Sequence, residues 1–197
     1  MYFNTAIFML KPFLRIDGGL TLHLARPELA GAVFSTVDSN RAHLRPWLPW
    51  VDPTRSVEDI KKFIRESISH NSKGSRLTTF ILYGEKVVGS LGVVRFDKDH
   101  RSCEIGYWLS REMERQGIVT KACACLIGHL FRKKDLNRVE IKVASENLRS
   151  QKVPLRLGFK KEGTLREALL LYGKYHDLEL FSFLKKEWEL GQGMVGK

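Results

Sequence analysis

Between Glu104 and Val143 the chain reads as strand, helix, strand, and this passage limits the fold more than any other stretch. Glu104-Ile105-Gly106-Tyr107-Trp108-Leu109 has strand composition. Ala122, Cys123, Leu126, Ile127, Leu130 and Phe131 recur at helical spacing, and Arg138-Val139-Glu140-Ile141-Lys142-Val143 alternates again. A helical crossover of this kind returns the chain alongside its starting strand, so the two strands are expected to pair in parallel. A polar turn, Glu114-Arg115-Gln116-Gly117, feeds the helix, with Gly117 where the backbone must turn. A helix start presents amide groups without intrahelical partners and the positive end of a dipole. Such a junction can hold a phosphate or pyrophosphate, and it is equally the ordinary way to join a strand to a helix.

The rest of the chain supplies more strands and helices. Leu20–Leu24 alternates like a first strand, and Arg26-Pro27-Glu28-Leu29-Ala30 opens a helix carrying Leu29, Ala32, Val33 and Val37. Asn40 to Val51 is rich in aromatics and broken by Pro46 and Pro49. Its Trp47 and Trp50 are candidates for a substrate wall or, alternatively, a seal on one edge of the core. Ser56-Val57-Glu58-Asp59 has the pattern of an N-cap, and Ile60, Phe63, Ile64 and Ile68 extend a helix to about His70. Residues 77–83 and 86–94 form a hairpin around Gly84-Glu85, and a second turn at Asp97–His100 leads into Ser102–Leu109. A short helix starts near Asn147, and Phe159–Leu165 with Leu178–Leu184 complete the sheet. The expected class is α/β, with a mixed sheet of about seven strands flanked by helices. No linker or repeat divides the chain, so residues 16–190 are expected to form one domain, with an extension over 1–15 and a tail over 191–197. The apolar start, Met1 to Leu10, reads as a segment that packs on a partner or membrane, or as a frayed or vector-derived extension, with Met9 an alternative start.

Charge and cysteine content bear on partners. With 33 Lys and Arg against 22 Asp and Glu, the formal charge is +11, which favours acidic partners: a cofactor phosphate, RNA, an acidic protein face or anionic lipid. The cations are scattered, which equally describes a generally solvated basic surface. No apolar run approaches the roughly 20 residues of a membrane span. Cys103, Cys123 and Cys125 are an odd number without a CxxC spacing, so neither zinc nor a disulfide framework is expected, and reduced thiols fit the cytoplasm.

The late stretch Asn147-x-x-Ser150-x-x-Val153-x-x-x-Leu157-Gly158-Phe159-x-x-Glu162-Gly163 resembles a motif of the N-acetyltransferase (GNAT) superfamily. Glu104–Leu109 resembles that family's fourth strand. With His43-Leu44-Arg45-Pro46-Trp47-Leu48-Pro49-Trp50, these stretches resemble the RimL/RimJ-type branch, which acetylates the N-terminal residues of ribosomal proteins. The resemblance covers nearly the whole chain after about residue 16. It implies a splayed mixed sheet in which the pantetheine arm of acetyl-coenzyme A lies like a missing strand. It also implies that Trp108, Leu109 and Ser110 pair with the pantetheine and that Arg115, Gln116, Gly117, Ile118, Val119 and Thr120 receive the pyrophosphate, with Lys121 adding charge nearby. The family pattern Gln-Gly-x-Gly-x-Gly/Ala here becomes Glu114-Arg115-Gln116-Gly117-Ile118-Val119. Arg115 therefore stands where a positive φ is expected, and Glu114 brings negative charge toward the phosphates.

Acyl transfer from a thioester to an amine requires a base for the ammonium proton, donors for the thioester carbonyl, and a proton for the departing sulfur. No cysteine sits in a nucleophile motif, which favours direct attack in a ternary complex. Glu104 is the first candidate base, with a strand-end ion pair as its alternative role and Glu167 as an alternate base. The Glu expected in an Arg-x-Ala-Glu pattern is Leu169 here. By resemblance Ser150 hydrogen-bonds the sulfur and Asn147 holds the pantetheine, although both residue types also cap helices. Pro154 replaces the tyrosine acid of many acetyltransferases and predicts a short or kinked helix. Tyr172 and Tyr175 are candidate substrate contacts in the family's closing segment, beside His176 and Asp177; Tyr175 and His176 have an alternative role as turn residues packed on the sheet. The implied acceptor is a protein N-terminus, with ribosome association and a homodimer expected; a small amine is the enzyme alternative. A non-catalytic coenzyme A-binding or ribosome-binding module is the alternative outside catalysis, and RNA binding has only the net charge in its favour.

Overall fold

The computed structural model describes residues 10–195, so the segment before Leu10, including Met9, lies outside the described residues. The strands are β1 (Leu14–Asp17), β2 (Leu20–Leu24), β3 (Leu77–Tyr83), β4 (Lys86–Asp97), β5 (Ser102–Leu109), β6 (Arg138–Ala144), β7 (Lys160–Leu171) and β8 (Lys174–Leu184). The helices are α1 (Ala30–Ser39), α2 (Arg41–Leu44), α3 (Val57–Lys73), α4 (Ile118–Lys133), α5 (Leu148–Arg156) and α6 (Lys185–Val195), with single 3-10 turns at Pro27–Leu29, Pro49–Val51 and Arg111–Met113. The strands form an open mixed sheet in the order β1-β2-β3-β4-β5-β6-β8-β7, flanked by helices. This is one strand more than the sequence suggested. The chain divides into two compact units, one made of residues up to Gly92 with Tyr107–Ala122, the other of Val93–Gly106 with the residues from Cys123 onward.

In the first unit β1 and β2 form a hairpin through Gly18 and Gly19, both at positive φ, and β2 pairs antiparallel with β3 with Leu22 opposite Ile81. Helix α3 starts on a capping box: the Ser56 side chain accepts from the Asp59 amide, and the Asp59 carboxylate accepts from the Ser56 amide at 2.9 Å. Gly74 ends it at φ +63, the left-handed position that glycine takes without a Cβ clash. Leu29, Val33, Val37, Ile60, Ile64, Phe80 and Leu82 bury the apolar faces of α1, α3 and β3 together. Each large aliphatic among them contributes roughly 1.5–3 kcal/mol by leaving water. The Arg41 guanidinium donates to the carbonyls of Val51, at 2.7 Å, and Thr54, which pins the proline-broken segment carrying Trp47 and Trp50.

In the second unit β5 and β6 pair in parallel, and β6 pairs antiparallel with β8 from Arg138 opposite Leu184 to Ala144 opposite Leu178. Of the apolar face read from the sequence of α4, Cys123, Leu126, Ile127, Leu130 and Phe131 are buried here. Phe131 meets Phe183 edge-on at 6.2 Å and Trp188 at 5.8 Å, and the Arg132 guanidinium lies 5.1 Å over the Trp188 ring. Strands β7 and β8 form a hairpin closed by Tyr172 and Gly173, both at positive φ as a two-residue type I′ turn requires. The hairpin runs past the Leu165 limit expected from sequence. Helix α6 extends to Val195, into the segment expected as a tail. No helix among the described residues is long and apolar enough to cross a membrane.

One ion pair in this unit makes stability depend on pH. Arg138 donates to both oxygens of Glu162, at 2.8 and 2.5 Å, and the Ser182 hydroxyl donates to the same carboxylate at 2.6 Å. Together they lower the Glu162 pKa from 4.5 to about 2, against the opposing effect of burial. A depressed folded-state pKa gives stability that is present above the unfolded value and lost as pH falls through the folded one. The parent protein should therefore lose stability between about pH 4.5 and pH 2 more steeply than Glu162→Gln. Chemical denaturation at stepped pH checks this, and the difference should be small because the carboxylate is partly exposed.

Candidate active site

The first unit contains the end of β5 and the turn into α4. The Ser110 amide donates to the Val88 carbonyl at 2.8 Å, so this N–H is engaged within the protein. The Arg111 amide donates to Asn40 Oδ1 at 2.9 Å, and Asn40 Nδ2 donates to the Thr36 carbonyl at 2.9 Å. A buried asparagine thus ties the turn to α1. Gly89 lets β4 press on β5, since a Cβ there would collide with the Trp108 carbonyl oxygen. The Ser110 hydroxyl is fully buried and has no hydrogen-bond partner among the described residues. The Trp50 ring lies 6.1 Å from that of Trp108, tilted by 53°, while Trp47 is half-buried. Trp50 therefore packs against Trp108 while remaining partly exposed.

Beyond Met113 the turn takes the conformation its sequence pattern implied. Arg115 has φ +63 and Gly117 φ +73. The Glu114 carboxylate lies 3.4 Å from His43 Nε2, which offsets its negative charge when the imidazole is protonated. Gln116 Nε2 donates back to the Glu112 carbonyl at 3.2 Å. The first bond within α4 runs from the Lys121 amide to the Gly117 carbonyl at 3.0 Å, so the amides of Ile118, Val119 and Thr120 lie ahead of it. The left-handed backbone at Arg115 costs a non-glycine residue about 1 kcal/mol or more. Arg115→Gly should accordingly raise unfolding free energy by about 1 kcal/mol in a denaturant titration.

The second unit contains the acid–base candidates. The parallel ladder pairs Ser102 with Arg138, Cys103 with Val139 and Glu104 with Glu140, and it ends there, although β5 continues to Leu109 and β6 to Ala144. Glu104 thus stands on the last rung. Its half-buried carboxylate accepts from Lys142 Nζ at 2.8 Å, an ion pair as the alternative reading of this residue anticipated. Lys142 is the residue the sequence reading passed over; it lies two positions after Glu140, on the same face of β6. Asn147 is the N-cap of α5, its Oδ1 accepting from the Ser150 amide at 3.1 Å. The two motif residues are brought together by the cap itself. Pro154 lies inside this nine-residue helix, which is short as expected.

The remaining candidates lie on the β7–β8 hairpin. Glu167 is exposed at φ +50 in a bulge, with its amide donating to Asp177 Oδ1 at 2.8 Å. Tyr172 and Tyr175 are exposed, and His176 Nδ1 lies 3.1 Å from Glu146 Oε1. Burial pushes the Cys103 thiol up to about 12, reinforced by Glu140 and Glu104, and raises Cys123 as well. Neither is a thiolate near neutral pH.

The model of the acetyltransferase (GNAT) domain family matches residues 19–160. The chain belongs to the GNAT acetyltransferases. YdaF of Bacillus subtilis (strain 168), provisionally named a ribosomal N-acetyltransferase, is 33% identical over 89% of this chain and 96% of its own length. Among solved structures, RimL, the ribosomal L7/L12 alpha-N-protein acetyltransferase in complex with coenzyme A, superposes with a TM-score of 0.84 at 26% identity, covering 88% of this chain and 98% of that one. The microcin C7 self-immunity acetyltransferase MccE, in complex with acetyl-CoA and AMP, also scores 0.84, at 27% identity over 87% and 95%. Two GNAT enzymes with different named roles fit this chain equally well, so the fold gives the reaction class and not the acceptor. The atypical turn of this GNAT chain nevertheless keeps a positive φ at Arg115, where the family pattern has glycine.

Proposed function

We propose that this GNAT acetyltransferase uses acetyl-coenzyme A to acetylate the α-amine of a protein N-terminus, with a ribosomal protein as the acceptor. The observation that carries the reading is the end of the β5–β6 ladder at Glu104 and Glu140, with a half-buried carboxylate on its last rung. Parallel strands that stop pairing leave backbone groups in need of partners, and a pantetheine arm carries amides that can supply them. The turn adds the positive-φ backbone at Arg115 and Gly117 and the leading amides of α4, which suit a diphosphate. The orphaned Ser110 hydroxyl, next to Trp108 and Leu109, is a further buried group for a bound molecule to satisfy.

Bound acetyl-coenzyme A supplies a thioester whose acyl carbon bonds to a neutral amine nitrogen as the carbon–sulfur bond breaks and the sulfur keeps the electron pair. In this reading Glu104 takes the proton lost by the amine, with Lys142 holding its carboxylate in place. The Ser150 hydroxyl, on the residue whose backbone amide donates to the Asn147 cap, gives a proton to the sulfur and regains one from solvent. Trp108 and Leu109 line the pantetheine, Gln116, Ile118, Val119 and Thr120 the pyrophosphate, and Trp47, Trp50, Tyr172 and Tyr175 the acceptor. The net charge of +11 favours an acidic acceptor protein over a polycation. The reading includes a cytoplasmic location and a homodimer. Isothermal titration with acetyl-coenzyme A beside a free-thiol assay tests it. Binding together with thiol release stimulated by N-terminal peptides supports the reading, whereas binding without any turnover favours the non-catalytic module.

A further inference from the structure

Beside the start of α4 the first unit has a cleft of about 240 Å³, lined among others by Asp17, Tyr83, Gln116, Ile118 and Lys121. Its charged lining residues are one carboxylate and one ammonium, and they hold each other: Lys121 Nζ donates to Asp17 Oδ2 at 2.8 Å. The two residues come from distant parts of the chain, Asp17 from the end of β1 and Lys121 from the first turn and a half of α4. A cation near a helix N-terminus sits against the helix dipole, so Lys121 is poorly placed by its own helix and gains from the carboxylate. Its pKa is raised by the hydrogen bond to Asp17 and by that residue's charge. Both side chains are about half exposed, so the pair is weak enough for a stronger anion to compete for the ammonium.

We propose that Asp17 sets the affinity of the α4 turn for the phosphates of its cofactor. It does so by occupying the ammonium of Lys121 and by placing a negative charge in the cleft. The inference rests on the coenzyme A reading of the turn and deepens it. The diphosphate at the α4 start, with one negative charge on each phosphoryl group, must draw Lys121 from Asp17 and tolerate the carboxylate that remains. Asp17→Asn removes both obstacles and leaves a side chain of the same size at an exposed position.

The test is titration calorimetry of the full chain with coenzyme A and, separately, with pantetheine, which has no phosphate, at low and high salt. Asp17→Asn should bind coenzyme A about three- to tenfold more tightly than the parent at low salt, with the gain shrinking as salt screens the charges. Pantetheine affinity should not change. Lys121→Met should weaken coenzyme A binding and leave pantetheine binding unaltered. An unchanged constant for coenzyme A in Asp17→Asn, or an equal gain for pantetheine, would overturn the inference while leaving the cofactor reading intact. Absence of coenzyme A binding in parent and variants alike would overturn the cofactor reading, and this inference with it.

Discussion

Glu104→Gln is expected to lower kcat by roughly 10²–10⁴-fold, the range that a positioned general base supplies, while leaving KM for acetyl-coenzyme A nearly unchanged. The substitution keeps the shape of the side chain and an oxygen that Lys142 can still reach, so thermal unfolding should move little. The expected pattern distinguishes a base from a structural ion pair. A strand-end pair would change stability and leave turnover intact, and a cofactor contact would raise KM with kcat preserved. Steady-state kinetics of the parent, Glu104→Gln and Glu167→Gln, run side by side, measure this directly. If Glu167→Gln shows the large loss and Glu104→Gln does not, the exposed bulge residue is the base.

Phe131→Ala is expected to cost about 3–5 kcal/mol of unfolding free energy. Phe131 is fully buried at the centre of an aromatic group, with Phe183 at 6.2 Å and Trp188 at 5.8 Å, so truncation leaves a void whose lining residues lose contacts on several sides. Helix α4 runs without a break from Ile118 to Phe131, so the same variant also reports whether the proposed coenzyme A binding depends on an intact helix. Urea titration gives the stability loss, and the coenzyme A dissociation constant of the same variant gives the functional consequence. A loss below about 1 kcal/mol would mean that the site collapses to fill the gap.

The parts of the fold that could be read from the chain alone were those governed by local period. The buried positions of α4 follow from 3.6-residue spacing, the Ser56–Asp59 capping box from its spacing, and the β3–β4 hairpin from the Gly84-Glu85 turn. The parallel β5–β6 pair followed from the helix between its strands. Strand β1 escaped notice because its four residues, Leu14–Asp17, are too few for alternation to stand out, and it gains a partner only through the Gly18-Gly19 turn.

Within the candidate site, the strained Arg115 was anticipated because a glycine position was filled by a side chain. The ion-pair partners were not: an ion pair at Glu104 was one of its two expected roles, but Lys142, like Asp17 beside Lys121, is far away in sequence and carries no signal that names it. Asn147 is a different case. Cap and cofactor ligand require the same residue type, and its Oδ1 is engaged by the Ser150 amide, so the pattern alone left both roles open.

The reaction proposed for this chain is acetyl transfer to an N-terminal α-amine. Mass spectrometry of an acidic ribosomal-protein N-terminal peptide, incubated with acetyl-coenzyme A and the parent protein, tests it most directly when paired with the same peptide blocked at its α-amine. One acetyl group is expected on the free α-amine, none on the blocked peptide, and a large drop in product with Glu104→Gln. Acetyl-coenzyme A that is bound but never transferred to any N-terminal peptide, or transferred equally to the blocked one, would contradict it.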